Sequence, residues 1–567
     1  MIINVLYMPM LMLSGATIPI TSMPGWLQTF SQFLPAAHFM TGIQSILRGK
    51  ETFADNLSAV GALLLTTVVG AVLGLKLFRW EKEEKMRPSA KLWLAAVLAP
   101  FLVLGVWQAY AKTNIERAKL LQRDVARSHA WLIRDARIFV GDGTVLERAS
   151  VLVKDGKIDK IFIGDAPDAK TLEADPIEAA GKTLLPGLID VHVHLTPSGA
   201  PGQQQSTSPD ANYDRELAYS GVTAVKSVGD GLTDILKHRA TMASGQRLGA
   251  ELFAVGPMFT VEGGHGTEFI KYVPQQYRDP IAQEIVRLPK TADEARVQVA
   301  ALKAQGVDGI KAILEAAGGS TTFPRLDPEI LKAIAEAARK AGLPLVVHTG
   351  RSRDVADAVA AGASGVEHGS MTDAISPEIF ALMKATGMSY DPTLAVVEAL
   401  KEFILGGAKS LERSLARQVM PANMIEGVKA NLNSQEAKAV RASFAAYPFS
   451  MEASKANATS AYRAGVTLVA GTDSGNPMMI HGPGIHRELQ LWVEAGIPPA
   501  AALQGATYNA ARLLKADNRI GLVKQGLEAN LLLVDGNPLE EIAATERIST
   551  VLFKGERVDR SKLFDQK

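Results

Sequence analysis

Gly187-Leu188-Ile189-Asp190-Val191-His192-Val193-His194-Leu195 is an apolar run broken by a polar residue at every second position. A strand sends alternate side chains to the same face, so Asp190, His192 and His194 are expected on one side. Two imidazoles one strand repeat apart can grip a single metal ion. Pro186 and Gly187 precede the run, and Thr196, Pro197 and Gly199 follow it, so the strand is bounded just past the second histidine. That puts the histidine pair at the C-terminal end of a strand, the end where barrel enzymes carry their chemistry.

The chain around this stretch has 567 residues, enough for several domains. Its 60 basic and 59 acidic residues nearly cancel, which gives no electrostatic case for a nucleic-acid partner. With no cysteine, disulfides and thiolate ligands are excluded, so any metal must be held by histidine, carboxylate or another oxygen. Hydrophobic residues make up 47% and the mean hydropathy is +0.08, with the apolar excess concentrated in the first 110 residues or so.

From Ala130 onward the texture is that of a mixed fold. Short strand signals at Trp131-Leu132-Ile133, Arg137 to Val140, Ser150 to Val153 and Lys157 to Phe162 are separated by Gly141-Asp142-Gly143 and Lys154-Asp155-Gly156 turns. The same texture returns at Asn530 to Asp535 and Ile548 to Gly555, which predicts a small sheet assembled from both ends of a long insert. Inside the insert, strand candidates centre on Val191, Val225, Ala254, Ile310, Val346, Val366, Tyr390 and Val469. Helical separators such as Asp327 to Gly342 and Asp354 to Ala361 lie between them. Strand and helix alternating eight times predict an α/β chain with a (β/α)8 barrel of the TIM type. Polar residues sit at the ends of these strands: Lys311, His348, His368 and Asp473 join His192 and His194. A lysine inside the apolar Gly309-Ile310-Lys311-Ala312-Ile313 run is costly unless it is neutralised or paired.

These stretches carry a resemblance. Leu185-Pro186-Gly187 through His194, Gly263-Gly264-His265-Gly266, Gly309-Ile310-Lys311, Gly365-Val366-Glu367-His368-Gly369, Ala470-Gly471-Thr472-Asp473 and Ala506 to Ala511 are similar, in order and spacing, to the metal-dependent amidohydrolase superfamily. The likeness is strongest to its imidazolonepropionase-related branch, which includes Xaa-Pro and Xaa-Arg dipeptidases. It implies a binuclear metallohydrolase acting on an amide or dipeptide. His192 and His194 would hold one ion with Asp473, and His348 and His368 would hold the second. Lys311 would bridge them as a carbamate, which gives the buried lysine a reason to be there. Zinc suits such ligands, as do manganese and cobalt. Asp473 would act as general base and then general acid. His265, in its glycine-rich turn, is a candidate for contacting substrate, and His481 and His486 are further candidates near the pocket. Asn530 stands where the family often has aspartate. The segment Glu398 to Tyr462 is long for a connection and reads as a lid or substrate wall. The same ligand set would serve a cyclic-amide hydrolase; a reading of another class is a non-catalytic module associated with an exporter.

The N-terminal part reads differently. Ile18-Pro19-Ile20-Thr21-Ser22-Met23-Pro24-Gly25-Trp26-Leu27, then Phe33 to Phe39 and Gly42 to Gly49, resemble the C-terminal end of ATP-binding-cassette exporter permeases. Leu57 to Leu75 and Leu92 to Ala111 are uncharged and long enough to span a bilayer, and 112–130 reads as a helical stalk. Lys76, Arg79, Lys82, Lys85, Arg87 and Lys91 between the two runs place that loop in the cytoplasm and the hydrolase outside it, in the periplasm. The expected organisation is a permease-like membrane fragment at 1–80 and a second span with stalk at 81–129. A β-sandwich half at 130–185, the barrel at 186–515 and the second sandwich half at 516–567 follow. The partners expected are a small amide or dipeptide substrate and a membrane, and the oligomeric state is left open.

Overall fold

The computed structural model describes residues 10–47, 56–77, 90–195 and 213–564, apart from 269, 271–272, 316, 319–320, 421 and 446–447 in the last range. The chain divides into two units, one ending at Ala126 and the other beginning at Arg127.

In the second unit the opening stretch forms the strand Leu188–Val193. All six residues are buried, the pattern of a parallel strand covered on both faces. Ile189 and Val191 pack outward against Ala510, Ala511 and Ile520. It pairs in parallel with Val222–Ser227, and that strand with Glu251–Ala254. A second parallel series runs through Ile310–Ile313, Leu345–His348, Gly365–Glu367, Ser389–Asp391 and Thr467–Leu468. Asp308 N donates to Ala254 O at 2.8 Å, which joins the two series. Val191 N donates to Ala470 O at 3.0 Å and Asp473 N to His192 O at 2.8 Å, which close the ring. The eight expected strand centres fall in this ring, with Val469 one residue beyond the short eighth strand.

The separators form helices for local reasons. Pro328–Lys340 starts at Asp327, whose carboxylate accepts from Glu329 N, with proline in the first turn. It buries Leu331, Ile334, Ala335 and Ala338, one stripe at helical spacing. Each such Leu or Ile contributes about 1.5–3 kcal/mol when withdrawn from water. The segment expected as a lid is helical, with Leu394–Ile404, Ser414–Val419, Ala422–Asn431, Gln435–Ala445 and Met451–Ala464.

The ends of the unit meet in one eight-stranded sheet. Lys182–Pro186 pairs on one side with Leu531–Asp535 and on the other with Trp131–Phe139. Its hydrogen bonding is continuous from Glu556–Arg557 to Lys157–Ile163, so the expected sandwich is corrected to a single sheet in its pairing. Lys182–Pro186 leads directly into the first barrel strand, which ties the sheet to the barrel.

The first unit holds the helices Gly25–Ser31, Pro35–Leu47, Leu57–Leu77, Ala90–Ala111 and Thr113–Ser128. The two apolar runs are helical, but among the described residues no helix is long and apolar enough to cross a membrane. The spans expected from sequence therefore find no support in the structure. Most of the basic loop used to orient them, 78–89, lies outside the described residues. The stretch expected as a helical stalk is helical. Thr113–Ser128 lies against the preceding helices, with Arg117 donating to Asn56 Oδ1 at 2.8 Å and Ser45 Oγ at 3.0 Å, and Asn114 to Gln32 Oε1 at 3.0 Å.

Candidate metal centre

The strand ends deliver the residues singled out in sequence to one place. His192 and His194 come from the first strand and its end, Lys311 from the fourth, His348 from the fifth, His368 from just past the sixth and Asp473 from beyond the eighth. Asp473 Oδ1 lies 3.0 Å from His194 Nε2 and 3.3 Å from His192 Nε2. The His368 ring centre is 5.1 Å from that of His192 and 4.4 Å from that of His348, so His368 stands between them. His265 is 5.0 Å from His348, ring centre to ring centre.

Three clusters could each hold a cation: His192, His368 and Asp473; His265, Glu315 and His348; His192, Glu367 and Asp391. His192 and Asp473 share the first group, with His368, and His348 lies in the second. His265, expected to contact substrate, lies 3.8 Å from Glu315 Oε2, and Glu315 contacts His348 Nε2 at 2.8 Å. The donor set fits a divalent ion. His192 Nδ1, Asp391 Oδ2 and Asp473 Oδ1 are buried without a hydrogen-bond partner. The 3.0–3.3 Å spacing around Asp473 is close to the roughly 3.3 Å between ligand atoms that bonds of about 2.0–2.1 Å to a tetrahedral ion impose.

Electrostatics agree with that donor set. Burial, together with nearby cationic groups, holds His192, His348 and His368 well below the ordinary imidazole value, so each is neutral and able to donate a lone pair. Burial alone would push Asp473 up, but its contact with His194, and the charge there, reverse this and keep it ionised. Burial pushes Lys311 down to about 7, with Lys226 adding to the effect and Asp473 and Asp391 opposing it. His368 and Asp473 also share left-handed backbone, with φ of 65° and 58°. Such strain at non-glycine residues collects at functional sites.

Several site residues escaped the sequence reading. Glu367 is held between two lysines, Lys226 Nζ at 3.0 Å from Oε1 and Lys311 Nζ against Oε2. Lys226 carries the signal that marked Lys311, a cation inside an apolar strand, and could have been found by it. Glu367 stands in the quoted Gly365-to-Gly369 motif, and Asp391 beside the strand centre Tyr390. Asp190 is structural: it accepts from Thr472 Oγ1 at 2.6 Å and Thr472 N at 3.0 Å, stitching the first strand to the eighth. Of the two further histidines, His481 bonds the His194 carbonyl at 2.9 Å and so braces the site through backbone. His486 bonds the Ser220 carbonyl at 2.9 Å. A cavity of about 300 Å3 opens at the opposite end of the strands, lined by Arg339, Leu345, Ser389, Thr467 and Arg512. It shares no residue with the histidine clusters.

Comparison with known proteins agrees with this geometry. Residues 183–558 match the model of the amidohydrolase family, and residues 1–47 give a short match to the ABC-2 type transporter. Ochratoxinase of Aspergillus niger is 24% identical over 483 residues, covering 78% of this chain and 90% of that protein. Among solved structures, a Xaa-Pro dipeptidase with methionine bound in its active site superposes with a TM-score of 0.60 at 25% identity, over 76% of this chain and 99% of that one. The A. niger ochratoxinase structure gives 0.57 at 22% identity, over 76% and 95%, a likeness of fold.

Proposed function

From the premise that the chain belongs to the amidohydrolase family and is a hydrolase of carbon–nitrogen bonds, we propose that it cleaves the amide of a dipeptide-like substrate at a binuclear metal centre. The observation that carries this reading is the convergence of His192, His194, His348, His368, Lys311 and Asp473 at one end of the barrel strands. The likeness to a Xaa-Pro dipeptidase supports a dipeptide-like substrate.

His192, His194 and Asp473 would hold one ion and His348 and His368 the second. Divalent ions held by these residues would supply an activated water near neutral pH and a Lewis acid for the carbonyl. Lys311 sits against Glu367, whose neighbours include His192. Its amine, brought down to about 7, would add to carbon dioxide with loss of a proton and become a carbamate ligand, leaving Lys226 as the cation on Glu367. Asp473 remains ionised, so it can take the proton from the attacking water and return it to the leaving amine. His265 and Glu315 group with His348.

A library of dipeptides and N-acyl amino acids, assayed on the purified full chain for release of free amine, tests the substrate class. Hydrolysis of a subset, abolished by a chelator and restored by zinc, is expected. Turnover of cyclic amides alone would overturn it in favour of a lactam-type hydrolase.

We further propose that the N-terminal unit tethers the hydrolase to a membrane, with the catalytic unit on the periplasmic side. The uncharged runs Leu57 to Leu75 and Leu92 to Ala111 and the short transporter match at 1–47 support this. Impermeant protease on intact spheroplasts should release the hydrolase. Cleavage only after lysis would invert the orientation, and hydrolase in the soluble fraction without protease would remove the tether.

A further inference from the structure

The seventh barrel strand ends in Asp391-Pro392-Thr393-Leu394-Ala395. Thr393 has φ 43° and ψ 47°, and a β-branched residue meets steric opposition in this left-handed region. Two features surround it. Its Oγ1 lies 2.6 Å from His368 Nδ1, both groups buried. The helix Leu394–Ile404 starts immediately after it, and the first two N–H groups of that helix donate to one side chain, Glu488. Leu394 N reaches Oε1 at 2.9 Å and Ala395 N reaches Oε2 at 2.6 Å.

Glu488 belongs to the helix Pro483–Glu494, which follows the eighth strand, and is fully buried. Its Oε1 also accepts from Trp492 Nε1 at 2.7 Å. A carboxylate facing unsatisfied N–H groups at a helix start is held firmly, by charge-assisted hydrogen bonds and by the helix dipole. One turn further along, Arg487 Nε donates to Glu398 Oε2 at 2.7 Å, so the two helices are clasped at two levels. The first turn after Thr393 cannot relax while both clasps hold.

We propose that Thr393 is a positioning residue for His368, and that Glu488 holds Thr393 in its left-handed backbone. The threonine hydroxyl accepts from Nδ1–H, fixes that tautomer and the ring direction, and leaves Nε2 as the nitrogen available to a metal. Partners of this kind on a ligand's second nitrogen govern metal affinity. The inference rests on the metal-centre reading above, but the hydrogen bond it describes is made on the ring nitrogen turned to Thr393 and can be measured without metal.

Two measurements on the full-length protein test it. Zinc affinity, read by competition with a fluorescent chelator, should fall about 10–100-fold in Thr393→Val. It should return to within a few-fold of wild type in Thr393→Ser, which keeps the hydroxyl, and fall in Glu488→Gln. In metal-free protein, His368 ring 15N shifts should show the Nδ1-protonated tautomer in wild type and a mixture in Thr393→Val. Unchanged zinc affinity or an unchanged tautomer in Thr393→Val would overturn the role of Thr393, as would a Thr393→Ser variant as weak as Thr393→Val. Wild-type affinity in Glu488→Gln would overturn the part assigned to Glu488. A wild-type chain that binds no zinc counts against the metal-centre reading itself, while the tautomer measurement still decides this one.

Discussion

Each unit withdraws cations from water, and the two treat them differently. In the N-terminal unit the half-buried Arg117 reaches neutral acceptors, the hydroxyl of Ser45 and the amide oxygen of Asn56. In the catalytic unit Lys226 and Lys311 meet at the single carboxylate of Glu367, within reach of His192, Asp391 and Asp473. The first arrangement pins helices together. The second crowds titratable groups, leaves His192 Nδ1, Asp391 Oδ2 and Asp473 Oδ1 without hydrogen-bond partners, and sits on left-handed backbone at His368 and Asp473. Buried charge alone does not mark a site. Convergence of several charges that do not satisfy one another does.

That contrast can be broken by substitution. The largest effect is expected in the catalytic unit: His192→Ala should lose metal and turnover to background with its circular dichroism intact. Asp473→Asn should lower kcat by about 10²–10⁴-fold, the worth of a general base. Next comes Lys226→Met, which strips Glu367 of one of its two cations. A stability loss on the order of 3–5 kcal/mol in urea unfolding is expected, as for a buried ion pair losing one partner. Smallest is Arg117→Met, which removes one half-buried guanidinium nitrogen from two neutral acceptors and should cost about 1.5–3 kcal/mol in all. That loss should appear in unfolding of the N-terminal unit, with kcat/KM unchanged. If Arg117→Met instead lowers turnover, the distinction between the two polar interiors fails.

The barrel was legible because its strands are short apolar runs that each end in one chemically expensive residue. His348 after Leu345-Val346-Val347 and Asp473 after Ala470-Gly471-Thr472 are out of place unless something at the strand ends uses them. The two-ended sheet was legible from matching textures at Trp131 and Asn530. What escaped is what only packing decides. Glu315, Glu367 and Asp391 are carboxylates of ordinary appearance in sequence, and become site residues because the closed ring of strands turns them toward the histidines. Thr393 gives no local sign of its backbone, because the cause, Glu488, lies far along the chain. Thr113–Ser128 was legible as a helix, but that Ser45 and Asn56 receive its Arg117 was not.

The central claim is that the catalytic unit works through metal held by its own strand-end residues. Elemental analysis of purified, active full-length protein tests it most directly, repeated after dialysis against a chelator. Close to two divalent ions per chain are expected, leaving together with amide hydrolysis and returning with it. Full activity in protein that carries no divalent ion would contradict the account.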